Sequence, residues 1–147
     1  MGEMTQLNLK VAKELIESAE KKANEINVPM VISVVDEGGN FIASHRMDDA
    51  LLVSVELAQN KAWTSVAMKM TTESLTQVAA NGKELYGINT TNNGRVVVFG
   101  GGIPLYNNSR IIGAVGVSGG SVEEDILVAQ SAVNALKDIK LIGMLSE

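Results

Sequence analysis

The stretch MVISVVDEGGNFIASHR, residues 30–46, sets the fold class of this 147-residue chain. Residues 30–35 form an apolar, β-branched run, and residues 41–46 have the composition to return beside it as a second strand. The intervening DEGGN, residues 36–40, supplies glycines for a tight turn and an aspartate that bonds forward to backbone N–H groups. The stretch therefore predicts an antiparallel β-hairpin.

Helical periodicity appears on both sides of this hairpin. Apolar residues recur at three- and four-residue steps over residues 9–26, 54–68 and 121–136, with polar residues between them. Asn8 or Thr5 is the predicted cap of the first of these helices. In the last one, Ser121 and Glu124 match a capping box.

The rest of the chain predicts a short helix and three more strands. Thr71 or Thr72 begins a helix that runs to Ala79, and the strand candidates are residues 96–99, 104–106 and 111–117. Short turns between strands imply antiparallel neighbours. The order of elements predicts an α+β single domain over residues 5–140, with a five-stranded antiparallel sheet, flanking helices and short tails at 1–4 and 141–147.

Composition excludes several classes of function. The formal net charge is −5 and Lys and Arg form no run, so a nucleic-acid partner is not expected. No apolar stretch approaches the roughly 20 residues of a membrane span. The chain has no cysteine and opens without a secretory signal, which together predict a cytoplasmic location. Because 46% of the residues are hydrophobic, we expect sister subunits to cover part of the surface.

GVSGG at residues 116–120 fits the G-x-S-x-G pattern of a nucleophile elbow. A serine hydrolase of that fold needs a histidine downstream of Ser118, whereas the single histidine, His45, lies far upstream, so the hydrolase interpretation is weak. A simpler interpretation is a glycine turn into a capped helix. An intermediate one is that backbone N–H groups of residues 119–123 receive a carboxylate or phosphate of a ligand, which makes Ser118, Gly119, Gly120 and Ser121 candidate binding residues.

His45 lies on the second hairpin strand and is followed by Arg46 and Asp48. A lone histidine suits an axial haem ligand or a general base, and a surface or interface role is the simpler alternative. No zinc-binding spacing occurs. Arg46 has the geometry to fork onto a carboxylate, either of a ligand or of a nearby aspartate.

Lys61, Gly101 and Gly102 are further candidates for ligand contact. The simple interpretation of the second helix places Lys61 in solvent and Trp63 in the core or an interface, with a ligand-facing lysine as the alternative. GGGIP at residues 100–104 lacks the pattern of a nucleotide-binding loop. Its glycines instead allow the backbone to turn sharply, or to approach a flat ligand or another subunit closely.

Several motifs, taken in order, resemble the GlcG/HbpS family, which includes the C-terminal domain of the PduO corrinoid adenosyltransferase. The motifs are VVDEGGN at 34–40, RMDDA at 46–50, KA at 61–62, GGIP at 101–104 and GAVGVSGG at 113–120. The likeness runs from about residue 8 to residue 136. In one departure, Asp49 stands where the family commonly has glycine.

This resemblance implies a profilin-like fold and compact homo-oligomers, octamers in some relatives. Some members bind haem, and others accompany glycolate, propanediol or glycerol metabolism. We therefore expect a small-ligand-binding accessory protein with haem or another tetrapyrrole as ligand. His45 would be the iron ligand, Arg46 or Lys61 would meet propionates, and the helix start at Gly119–Ser121 would hold another carboxylate.

Two other classes of function stay open at the level of sequence. The first is an enzyme for a small carboxylated or phosphorylated metabolite, with His45 or Asp48 as acid or base and the Ser118 loop as anion hole. The second is a structural partner of a pathway enzyme that binds no small molecule. No complete catalytic constellation is present in the sequence, which favours a protein that is not an enzyme.

Overall fold

The first helix begins at the predicted side-chain cap. In the computed structural model, which describes residues 7–141, α1 spans Leu9–Glu25 and the side chain of Asn8 accepts a hydrogen bond from the N–H of Val11. The other candidate cap, Thr5, lies outside the described residues. The predicted tails lie there too, except for Leu141.

The predicted hairpin is confirmed. β1 spans Val31–Asp36, β2 spans Phe41–Arg46, and the two pair antiparallel. Asp36 Oδ1 accepts from the backbone N–H groups of Gly38 and Asn40, both at 2.9 Å. Gly39 has φ +80°, a conformation that glycine adopts without strain.

The remaining elements follow the predicted order, except that residues 96–99 do not form a strand. The helices are α2, Val53–Met68, α3, Thr72–Ala79, and α4, Val122–Leu141; the later strands are β3, Gly102–Asn107, and β4, Arg110–Ser118. Thr71 caps α3 through its side chain. The connection from α3 to β3 contains two short 3₁₀ turns, Ile88–Thr90 and Asn92–Gly94.

The sheet is antiparallel throughout and has the order β2-β1-β4-β3. One face carries Ile32, Val34, Val115 and Val117, which form the main core with apolar residues of α1 and α4. The opposite face carries Val31, Val35 and Ala114, which pack against Ala58 and Ala62 of α2. The domain is therefore a mixed α/β sandwich, with α1 and α4 on one side of the sheet and α2 on the other.

The prediction of a fifth strand at residues 96–99 is wrong: within residues 7–141 the sheet has four strands. Threonine side chains from two helices, rather than a neighbouring strand, bond the backbone of this segment. Thr64 Oγ1 accepts from the N–H of Val97 and donates to the carbonyl of Arg95, and Thr76 Oγ1 donates to the carbonyl of Val98. A β-branched run was predicted as a strand, although side chains of α2 and α3 bond its Val97 N–H and its Val98 carbonyl.

Two glycines bring α2 unusually close to the sheet. Gly102 and Gly116 are paired across β3 and β4. A Cβ at Gly116 would collide with the backbone carbonyl of Ala58, and one at Gly102 with the carbonyl of Lys61. Because both obstacles are backbone atoms of a helix, neither can move aside cheaply. The absence of side chains at these two positions therefore sets the distance between helix and sheet.

We predict that Gly116→Ala destabilises the domain by about 3 kcal/mol, at the upper end of what overpacking usually costs. The added methyl group would meet helix backbone, which relaxes only if α2 shifts as a whole. Gly38→Ala is the control, because its new Cβ would meet side-chain atoms of Asn40 and Asp36 rather than backbone. Urea unfolding followed by circular dichroism measures both. Equal, small losses of stability would show that α2 is not held by this contact.

Candidate functional site

The candidate residues named from the sequence lie at one end of the sheet. Arg46 pairs with Val31, and Val31 pairs in turn with Ser118 on the next strand. The N–H of Val117 donates a hydrogen bond to the carbonyl of Gly101, so the residues just before β3 lie beside the end of β4. The fold therefore brings the candidates to the same edge, but it separates them into a buried group and an exposed group.

Lys61 is the centre of the buried group, and the expectation that it reaches solvent is wrong. Its side chain is 0% exposed. Nζ donates to Asp125 Oδ2 and to the carbonyl of Val117, each at 2.9 Å, and lies 5.2 Å from the centre of the Phe99 ring. The close seating of α2 on the sheet leaves this side chain no path outward. Lys61 therefore joins α2 to the end of β4 and the start of α4.

Burial shifts the titration of both members of this ion pair. It lowers the pKa of Lys61 from its ordinary 10.5, because removal from water disfavours the ammonium ion, and the Asp125 carboxylate opposes this only in part. It raises the pKa of Asp125 above its ordinary 3.8 for the same reason, against the opposing effects of Lys61 and the Gly120 N–H. Both shifts show that the fold holds two charges at a cost in desolvation.

The helix start at residues 119–121 is capped from within the chain. The N–H of Gly120 donates to Asp125 Oδ1, and the N–H of Ser121 donates to Glu124 Oε1. Ser121 Oγ in turn accepts from the N–H of Glu124, which confirms the capping box. Carboxylates of the protein therefore occupy the backbone N–H groups of Gly120 and Ser121, which were predicted to bind an anionic group of a ligand.

Among residues 7–141, Ser118 has no catalytic partner within hydrogen-bond distance. Its hydroxyl is buried and lies 2.9 Å from the hydroxyl of Ser54, whereas His45 is paired with Glu20. A nucleophilic serine needs a base at hydrogen-bond distance. The G-x-S-x-G match is thus a structural feature of the β4–α4 turn.

The glycines of this region serve close packing. Gly101 has φ +130°, and a Cβ there would lie 2.7 Å from Lys61 Nζ. A Cβ at Gly119 would lie 2.6 Å from the carbonyl of Pro29. Gly101 and Gly102 therefore approach α2 of the same chain; a sharp turn, a flat ligand and another subunit were the three alternatives from the sequence.

Trp63 lies partly buried at the outer side of the helix that carries Lys61. The turn at Gly39 packs against its indole, and the guanidinium of Arg95 stacks 4.4 Å from its ring centre. Arg95 is also held by Asn60 Oδ1. The tryptophan thus connects α2 to the hairpin turn and to the loop before β3.

The exposed group consists of His45, Arg46 and Asp48 at the end of β2. His45 Nδ1 lies 2.6 Å from Glu20 Oε2 of α1, and the histidine side chain is 43% exposed. Arg46 donates from Nε and Nη2 to the carbonyl of Ala50, so its guanidinium holds the loop that follows β2. This is neither of the two carboxylate pairings considered from the sequence.

An open cleft of about 550 Å³ lies beside this exposed group. It is lined by Glu20, Asn24, Asn27, Val28, Pro29, Arg46, Met47, Asp48 and Asp49. Asp49 has φ +70°, a left-handed conformation that glycine adopts more readily. The cleft combines one arginine with three carboxylates.

Sequence reasoning missed Glu20 and Asp125, which are the partners of His45 and Lys61.

Within residues 7–141, no group of three or more His, Cys, Asp or Glu side chains is arranged to hold a metal ion. In the same residues, no helix is long and apolar enough to cross a membrane. Among His45, Arg46 and Asp48, the imidazole of His45 is the side chain with a nitrogen that can coordinate a metal.

We predict that Lys61→Met costs about 3–5 kcal/mol, because it leaves Asp125 buried without its partner. The double variant Lys61→Met with Asp125→Leu should recover most or all of this loss, since a buried ion pair is often replaceable by apolar side chains of similar volume. Urea unfolding of the wild type, the two single variants and the double variant measures the coupling energy between Lys61 and Asp125. A double variant as unstable as Lys61→Met would contradict the interpretation.

The same cycle has a predicted pH dependence. Folding lowers the pKa of Lys61, so the stability of the wild type rises with pH between that lowered pKa and 10.5. Folding raises the pKa of Asp125, so stability falls as the pH rises from 3.8 to that raised pKa. Between these two windows the folded protein carries the full cost of both charges. The stability of the double variant relative to the wild type should therefore be greatest near neutral pH. A stability difference that does not depend on pH would contradict these pKa shifts.

Comparison with known proteins identifies the family. A family model described as haem-degrading protein HbpS-like matches residues 7–134. An uncharacterised 15.0 kDa protein from the dhaT-dhaS intergenic region of Citrobacter freundii is 45% identical over 133 residues, which cover 90% of this chain and 94% of that protein.

Two further relatives extend the comparison. The corrinoid adenosyltransferase PduO of Citrobacter freundii is 45% identical over 130 residues, or 88% of this chain and 39% of the enzyme, so the chain matches about two fifths of the adenosyltransferase. A crystal structure of a PduOC–haem complex has a TM-score of 0.86 and 45% identity, and the match covers 89% of this chain and 95% of that one. The chain therefore belongs to the HbpS-like family, as its resemblance to GlcG/HbpS proteins predicted.

Proposed function

We propose that this protein binds haem or a related tetrapyrrole, as an accessory protein without catalytic activity of its own. The observation that carries the proposal is the relative crystallised as a haem complex, which shares 45% of its residues with this chain over nearly its whole length. Another relative carries the domain as part of a corrinoid adenosyltransferase. A role beside diol, glycerol or glycolate metabolism follows from the family resemblance and belongs to the same proposal.

His45 has the chemistry of a haem iron ligand. Its Nδ1 is engaged by Glu20, so Nε2 is the nitrogen left to meet a ligand, and the side chain is partly exposed at an edge strand. Imidazole nitrogen is a common axial donor to haem iron. A bound haem would supply an iron centre for small ligands or electrons, whereas the protein would fix the iron position and the plane of the ring.

An exposed apolar segment leads from the loop after β2 into α2. Leu51, Leu52 and Val53 are consecutive and are 59%, 74% and 64% exposed. Arg46 fixes the loop that leads into them through its bonds to the Ala50 carbonyl. An exposed run of this kind usually marks a binding surface.

The charges of the site restrict how the propionates lie. Lys61 is buried and already paired, and the donors of Gly120 and Ser121 are occupied by the chain itself. In this proposal neither therefore holds a propionate. Within the cleft, Glu20, Asp48 and Asp49 would repel a propionate, and Arg46 is the cation that would attract one.

We predict that the purified protein gives a saturable Soret band when titrated with haem, and that His45→Ala abolishes it. Added imidazole should restore the band in that variant by filling the place of the lost side chain. Tyr106→Ala, on the opposite edge strand, removes an alternative type of iron ligand and should leave the titration unchanged.

Two outcomes would count against this assignment. A band that survives in His45→Ala unchanged rejects this histidine as the ligand. A wild-type titration that never saturates rejects haem binding itself.

We also propose that the protein is a homo-oligomer, and that the apolar segment Leu51–Val53 contributes to contact between copies. The support is its exposure in the single chain, together with the tendency of soluble oligomers to be built from identical subunits. The family resemblance makes an octamer the expected assembly.

We predict that Leu52→Glu reduces the molar mass measured by light scattering, because it places a charge in an apolar contact. Lys69→Glu, a change of charge elsewhere on the surface, is the control and should leave the mass as in the wild type. A wild-type protein that is monomeric, or an unchanged mass in Leu52→Glu, would contradict the proposed contact.

A further inference from the structure

The contact between Glu20 and His45 joins two elements that are distant in sequence. Glu20 lies on α1, which packs beside the edge strand β2 that carries His45. The distance of 2.6 Å between Oε2 and Nδ1 is short for a hydrogen bond to nitrogen, and the two side chains are 26% and 43% exposed. It is thus a partly shielded contact with room on the far side of the ring.

This contact determines which nitrogen carries the proton of a neutral imidazole. An ionised carboxylate only accepts hydrogen bonds, so the proton must lie on Nδ1 for the bond to form. The lone pair is then on Nε2, on the side of the ring away from Glu20. A free neutral imidazole side chain in water favours the opposite tautomer, with the proton on Nε2, which cannot coordinate iron through that atom.

We infer that Glu20 is a positioning residue for His45, and that it makes Nε2 a stronger donor toward ferric iron. This inference rests on the proposed haem-binding function. Histidines that bind metals usually donate their other N–H to a carboxylate or carbonyl, which fixes the ring and increases its basicity. A negative charge behind the ring also favours the ferric over the ferrous state, because the ferric centre carries one more positive charge.

Other carboxylates of the cleft do not have this role. Asp48 and Asp49 line the same cleft as Glu20. The bond to Nδ1 comes from Glu20 alone among these three. Asp48→Asn therefore removes a nearby negative charge without touching the bond, and it is the matched control for Glu20→Gln.

The first readout needs no haem. His45 is the single histidine of the chain, so ¹⁵N NMR of histidine-labelled protein reports on this ring alone. At alkaline pH the wild type and Asp48→Asn should show the proton on Nδ1, and Glu20→Gln should shift the population toward the Nε2-protonated form. The same tautomer distribution in Glu20→Gln as in the wild type would overturn the inference.

The second readout uses haem. Glu20→Gln should weaken ferric haem binding by about 10- to 100-fold, the usual effect of losing such a partner, and should lower the iron–histidine stretching frequency of the ferrous form in resonance Raman spectra. Asp48→Asn removes a nearby carboxylate without touching the bond to Nδ1, so it should leave the stretching frequency unchanged. A merely structural Glu20 would leave the stretching frequency unchanged, and that result would also overturn the inference.

The two proposals fail in different ways. If wild-type protein does not bind haem, the proposed function fails and the haem role of Glu20 fails with it, whereas the tautomer measurement still decides whether Glu20 orients His45. If haem binds through His45 but Glu20→Gln keeps the wild-type affinity and stretching frequency, the function stands and this inference alone is wrong.

Discussion

The close approach of α2 to the sheet, which the paired glycines Gly102 and Gly116 permit, is the constraint on which the rest of the site depends. At this distance Lys61 cannot reach water and must find its partners inside. Asp125 provides one and the carbonyl of Val117 another. Because Asp125 also accepts from Gly120, the same carboxylate closes the turn between β4 and α4. The geometry of that turn is thus a consequence of how the helix is seated.

The close seating of α2 explains why some candidate residues are buried and others are exposed. The side chains and glycines near α2 are committed to contacts within the chain, and the helix start that resembled an anion site is capped by Glu124 and Asp125. The edge strand β2 has a neighbour on one side only, so His45 can be both anchored by α1 and open to solvent. We therefore propose that binding at this end of the sheet involves the edge strand rather than the glycine-rich turn.

Much of the fold was predictable because its signals are local. The hairpin follows from a β-branched run and a second strand-like segment on either side of a glycine turn, and both Asn8 and Ser121 cap the helices that their positions predict. The false fifth strand shows the limit of local signals: residues 96–99 have strand composition, but Thr64 and Thr76 satisfy their backbone groups from other parts of the chain. Those two threonines are distant from the segment in sequence, so no local pattern could reveal the contacts.

The site was predictable in its residues more than in its contacts. The spacing of Ser54, Ala58, Ala62 and Ser65 places Lys61 on the buried side of α2, a signal that was available but outweighed by the usual exposure of lysine. Nothing local links Glu20 to His45, since the two lie 25 positions apart and meet only once α1 packs beside β2. The most direct test of the account is a crystal structure of this protein grown with haem. We predict iron bound to Nε2 of His45, with Nδ1 still bonded to Glu20; iron bound to any other side chain would contradict it.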